Sequence, residues 1–167
     1  KRFFKRAYYY SKKFPRFEKG QLERGDINSQ GRKMLNLEIV NAFMPDGVIS
    51  SIFAKAIRNN FAPATLRGAI AEYALRKSGI ANREEAINYL DSLSKSVKVQ
   101  AEYAEKVIEE HSNAMPRLSP AERQIFARNI RHHVVTQLSV IFYIILEAKR
   151  YLKEDKIKII PWKERQK

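Results

Sequence analysis

The chain has 167 residues and no cysteine, and 32 Lys and Arg against 18 Asp and Glu leave a formal charge of +14. Disulfide frameworks and thiolate metal sites are therefore excluded, and there is no apolar run of about 18 residues from which an ordinary transmembrane helix is built. Length and a hydrophobic content of 44% suit one domain with a real core, and the basic excess points to an anionic partner, most often nucleic acid.

The charge is unevenly placed. Residues 1–33 hold 11 basic and 3 acidic side chains, residues 148–167 hold 8 and 3, and residues 34–147 hold 13 and 12. A solubility device spreads charge over the surface; cationic ends on a neutral body instead suit arms that grip a polyanion. This division gives three units: a basic aromatic arm and connector (1–33), a helical bundle (34–153) and a basic tail (154–167).

The first segment, KRFFKRAYYYSKKFPRFEKG, has no acid before Glu18. Drawn as a helix, it places Phe3, Ala7, Tyr10 and Phe14 on one stripe, with Arg2, Lys5, Arg6, Lys12 and Lys13 around the rest, and Pro15 ends it. That stripe is small against the entropy of fixing the segment, so an extended arm is expected that orders on binding. Residues 16–33 carry Gly20, Gly25 and Gly31 without an apolar period and read as an extended connector.

From Met34 the period is helical. MLNLEIVNAFM runs to Pro45, Pro-Asp-Gly makes a turn, and VISSIFAKAIRNN stops near Pro63. ATLRGAIAEYALRKSG sets Leu66, Ile70, Tyr73 or Ala74 and Lys77 on successive turns, and Gly79 suits the left-handed position after a helix end. Asn82 and Glu85 have capping-box spacing. The next stripe runs through Ile87, Leu90, Ser94, Val97, Ala101, Ala104 and Ile108 to about His111, where PRLSP breaks it. Ser119, Pro120 and Glu122 repeat the start signal, and a last helix reaches about Lys153. From Val134 to Leu146 only Thr136, Gln137 and Ser139 are polar, so this helix is central or shared with another subunit. IKIIPW beyond it reads as a strand or a strap onto a neighbour. The expected fold is an all-α bundle with a long C-terminal helix and an extended basic N-terminal arm.

The arm carries the strongest functional signal. Lys1, Arg2, Lys5, Arg6, Lys12, Lys13 and Arg16, with Lys19, Arg24, Arg32 and Lys33 of the connector, can pair with phosphates whatever the base sequence. Tyr8, Tyr9 and Tyr10, with Phe3 and Phe4, can pack on sugars, bases or a neighbouring protomer. A solvated tail, a remnant of a targeting peptide and a membrane-surface anchor are the competing readings. Arg67, Arg76, Lys77, Arg128 and Arg131 sit on expected helices and form a second tier of contacts; half of such residues are plain surface.

His132 and His133 are adjacent, hence about 100° apart on a helix, and lack the spacing of a helical zinc site. Glu84, Glu85, Glu109 and Glu110 fall beside basic residues on solvated faces. With no P-loop, dinucleotide fingerprint or nucleophile elbow, neither an enzyme nor a cofactor is expected. Zinc fingers, basic regions with heptads and RNP motifs are missing as well, so binding by charge and shape is expected over base readout.

The basic arm KRFFKRAYYYSKKF, the helices from Met34 to Lys153 and the cysteine-free composition together resemble the major capsid protein of filamentous archaeal viruses, the adnaviruses of the tristromavirus-like branch. The resemblance is architectural. It implies a virion protein from a hyperthermophile's virus that wraps linear double-stranded DNA in the A form. It further implies a homodimer or a heterodimer with a second capsid protein, helical assembly, interlocking arms and a processed amino terminus before Lys1. Two rivals stand beside it. One is a helical RNA-binding subunit of an intracellular ribonucleoprotein, of the ribosomal or CRISPR small-subunit type; the other is a membrane-surface scaffold anchored by its first 14 residues.

Overall fold

The structure is a computed structural model, and it describes residues 2–13, 29–60, 63–79, 82–113 and 118–154. Among these residues the fold is all-α, with six helices: α1 (Arg2–Lys13), α2 (Ser29–Phe43), α3 (Gly47–Asn59), α4 (Pro63–Lys77), α5 (Arg83–Asn113) and α6 (Pro120–Lys153).

The punctuation of the sequence is what sets the boundaries. Asp46 caps α3, its carboxylate accepting from the backbone N–H of Val48 at 2.9 Å and of Ile49 at 3.0 Å. Asn60 ends α3 in a left-handed conformation, and Gly79 takes φ +77° just past α4, where a side chain would be strained. Asn82 accepts from the Glu85 N–H at 3.2 Å, and Ser119 from the Glu122 N–H at 3.2 Å, with Pro120 in the first turn of α6. One boundary differs from expectation. Helix α2 begins at Ser29, so residues 29–33 are helical, whereas the sequence places them in an extended connector. Gly31 is buried there, and the packing outweighs its low helix propensity.

Helices α5 and α6, about 46 and 51 Å long at 1.5 Å per residue, form an antiparallel pair that is the spine of the bundle. Leu90, Val97, Ala104 and Ile108 of α5 meet Ile130, Val134, Leu138, Ile141 and Ile145 of α6, all essentially without exposure. Ser94 falls on the same buried stripe and is satisfied by donating to the Asp91 carbonyl at 2.7 Å. Lys149 on α6 fixes the register near the far end, its Nζ 2.7 Å from Asp91 of α5. Leu35, Ile39, Phe53, Ile70 and Leu75 of α2, α3 and α4 complete one continuous core. The long α6 is therefore central along one side, while Thr136, Ser139, Val140 and Tyr143 keep a wet face through its apolar stretch.

Helix α1 is not an extended arm in this structure. Phe3, Ala7 and Tyr10 are buried, the Phe3 ring meets Phe43 edge-on at 5.3 Å, and the Tyr10 hydroxyl donates to Glu38 at 3.4 Å. Residue 3 meets residue 43 and residue 10 meets residue 38, so α1 runs antiparallel to α2. The Tyr8 ring packs edge-on against Phe126 of α6 at 5.8 Å. The stripe is the one the sequence draws, but the body offers it a matching surface that no local reading supplies.

Candidate nucleic-acid interface

Docking one side of α1 decides what the other side shows. With Phe3, Ala7 and Tyr10 turned inward, helical geometry turns Lys5, Arg6, Tyr9 and Lys13 outward, and all four are exposed. Lys5, Tyr9 and Lys13 follow one another at intervals of four along a single row. Tyr9 is 49% exposed, with the Lys13 ammonium 5.5 Å from its ring centre. Helix α1 contains no acidic residue, so no side chain of its own neutralises this face. Its C-terminal end is directed toward the start of α2, where Arg32 is also exposed.

The other residues singled out from the sequence are distributed differently. Lys1, Arg16, Lys19 and Arg24 lie outside the described residues, as do the side chains of Arg2 and Lys12. Tyr8 and Tyr10 face the body, which leaves Tyr9 as the outward member of the three. Lys33 is half-buried and donates to the Arg58 carbonyl at 3.1 Å. Arg67 is bridged to Glu147 at 3.2 Å and lies over the Tyr151 ring at 4.7 Å. Arg76 is bridged to Glu72 at 2.8 Å within its own helix. Lys77 sits 5.0 Å over the Tyr89 ring.

Arg128 and Arg131 line a hollow of about 590 Å³ between α5 and α6, together with Arg123, Glu105 and Glu109. Phe126 faces α1, and Arg128 and Arg131 lie about 200° and 140° further round the helix. The two basic groups thus occupy different flanks of α6.

Sequence reasoning passed over one polar cluster. The Asp46 carboxylate that caps α3 also accepts from the hydroxyls of Tyr73 on α4, at 3.1 Å, and Tyr89 on α5. Burial pushes the Asp46 carboxyl up, but hydrogen bonds from Tyr89, the Ile49 N–H, Tyr73 and the Val48 N–H outweigh it and hold the group below its ordinary value of 3.8. Burial and the facing carboxylate push the Tyr89 phenol well above the ordinary tyrosine range, and Tyr73 is raised for the same reasons. With the acid kept ionised and both phenols kept protonated, the cluster holds one fixed pattern of donors and acceptors through neutral pH. Pro-Asp-Gly signals the turn, but the two tyrosines arrive from helices 27 and 43 residues away.

Among the described residues no group of three or more His, Asp and Glu side chains converges as metal ligands would, and no helix is long and apolar enough to cross a membrane. No family model, curated protein or solved structure matches the chain.

Proposed function

We propose that the protein is a structural nucleic-acid-binding protein that coats double-stranded DNA through sequence-independent phosphate contacts, in the manner of the capsid protein of a filamentous virion. The observation that supports it is the two-sided nature of α1, which spends its apolar side on the body and presents Lys5, Arg6 and Lys13 outward without a neighbouring carboxylate on the same helix. Such a face neutralises phosphates and releases their counterions without reading bases. A near-neutral helical body leaves the remaining surface for contact between subunits, including a second capsid protein. The chemistry needs no cofactor and no catalytic group.

The exposed Tyr9 ring beside Lys13 favours a second reading, an RNA-binding subunit that stacks an unpaired base on that ring.

Titrating duplex DNA of several sequences against salt tests the first reading. The affinity is expected to be the same for all sequences and to fall steeply with salt. Replacing Lys5, Arg6 and Lys13 by Gln together is expected to lower the logarithmic salt slope by about 2 to 3, since each phosphate neutralised contributes about 0.9. A slope unchanged by the triple replacement contradicts the α1 interface. A Tyr9→Ala loss confined to single strands selects the RNA reading.

A further inference from the structure

Asp46 is followed by Gly47, the chain's one Asp-Gly pair, and no Asn-Gly occurs anywhere in the sequence. Asp-Gly isomerises more readily than other aspartyl pairs, because glycine leaves its own backbone nitrogen unshielded and free to turn. The Gly47 nitrogen attacks the Asp46 carboxyl carbon, an N–C bond forms, a C–O bond breaks, and the amide proton leaves with the carboxyl hydroxyl as water. Water then opens the five-membered imide at either carbonyl. One opening restores Asp46, and the other runs the main chain through the side chain as isoaspartate.

Nothing steric requires a glycine at this position. Gly47 is exposed, its φ is not positive, and a Cβ added to it meets nothing within 4 Å. Exclusion of water does not protect the pair either, since Asp46 and Gly47 line an open hollow of about 620 Å³ together with Tyr73 and Tyr89.

What opposes ring closure is the way the carboxylate is held. The reaction needs the protonated carboxyl, whose hydroxyl can leave; burial raises the Asp46 carboxyl, but its hydrogen bonds outweigh this and keep it ionised through neutral pH. Both oxygens are occupied. Oδ1 accepts from the Val48 and Ile49 N–H groups at 2.9 and 3.0 Å, and Oδ2 accepts from Tyr73 at 3.1 Å and from Tyr89. The ring also needs the Gly47 nitrogen eclipsed with the Asp46 Cβ, whereas a ψ of 118° swings it far from that position. Turning ψ to the reactive position opens the first turn of α3 and pulls the carboxylate away from α4 and α5 at once.

We infer that the Tyr73 and Tyr89 hydroxyls guard the Asp46–Gly47 pair against isoaspartate formation by pinning the carboxylate from two neighbouring helices. The bonds to Val48 and Ile49 break whenever the start of α3 frays, as helix ends do; the bonds from α4 and α5 do not fray with it. Isoaspartate adds a carbon to the main chain and moves the carboxylate, so cap and clamp are lost together. The site is separate from the phosphate-facing row of α1.

The test ages the full folded chain at neutral pH, below its unfolding transition, and quantifies isoaspartate at residues 46 and 91 by enzymatic methylation and peptide mass spectrometry. Asp91 is held by Lys149 and Lys95, not by the phenols, and reports opening of the bundle as a whole. Wild type is expected to isomerise at residue 46 only in urea. Tyr73→Phe combined with Tyr89→Phe keeps both rings, and it is expected to accumulate the product while folded about tenfold or more faster than wild type, the weight of a hydrogen bond to a charged group. Each single replacement is expected to fall between. Adding Gly47→Ala to the double variant is expected to suppress the product. Wild type that isomerises as fast folded as in urea overturns the inference, as does a double variant that ages like wild type. Parallel rises at residues 46 and 91 in the single and double variants also overturn it, since the fold as a whole would then be the guard.

Discussion

Asp46 ties three helices through one carboxylate. It closes the open N–H groups of the first turn of α3, and it holds Tyr73 of α4 and Tyr89 of α5 by their hydroxyls. Removing it with Asp46→Ala is expected to cost about 1 to 2 kcal/mol from the cap alone, with a further loss from two phenols left without their charged acceptor. Asp46→Asn keeps the capping oxygen but not the charge, so it is expected to fall between wild type and Ala in urea unfolding. Equal stability of all three proteins would contradict the clamp. The pH dependence follows from the directions of the shifts. A carboxyl held below 3.8 in the folded protein contributes stability that is present above that value and lost as pH falls through the lower folded value. Asp91, held down first by its hydrogen bond from Lys149 and then by that from Lys95, loses its contribution in the same acid window. Tyr73 and Tyr89, raised above 10, hold their contribution at lower pH and lose it as pH rises beyond that value. The stability gap between wild type and Asp46→Asn is thus expected to be flat through neutral pH and to close on the acid side below 3.8.

Helix α1 is where local and tertiary information part. Its stripe of Phe3, Ala7 and Tyr10 is legible from period alone, as are the Asn82 and Ser119 caps and the Leu90 to Ile108 face of α5, because each depends on neighbours within a turn or two. What period cannot state is whether a stripe finds a partner. The edge-on pair of Phe3 with Phe43 and the bond from Tyr10 to Glu38 join segments some 30 to 40 residues apart in sequence, and they convert an expected loose arm into a docked helix. The same limit applies to the site. The cations of α1 were countable, but that Tyr9 faces outward while Tyr8 and Tyr10 face inward, and that Arg67 and Arg76 are tied to Glu147 and Glu72, depends on the assembled bundle. Ala7 is 1% exposed at the centre of the α1 contact. A charge placed there has no partner and is costly to bury, so Ala7→Glu is expected to release α1 while α2 to α6 stay folded. Hydrogen exchange should then show protection lost in residues 2–13 alone. Continued protection of that segment would contradict the docked arrangement.

At the scale of the whole molecule, the account places phosphate contact on one helix face and leaves the rest of the surface for neighbouring copies. The basic excess of residues 1–33 and the outward row of α1 both concentrate cations on the surface proposed to meet a polyanion. Exposed lysines outside that row, such as Lys95, Lys98 and Lys106 of α5, provide internal controls of equal chemistry. Acylation of lysines with and without saturating duplex DNA, read residue by residue by mass spectrometry, therefore tests the central claim most directly. The account predicts that Lys5 and Lys13 are strongly protected by DNA while Lys95, Lys98 and Lys106 react as before. Protection of the α5 lysines with Lys5 and Lys13 left fully reactive would contradict it.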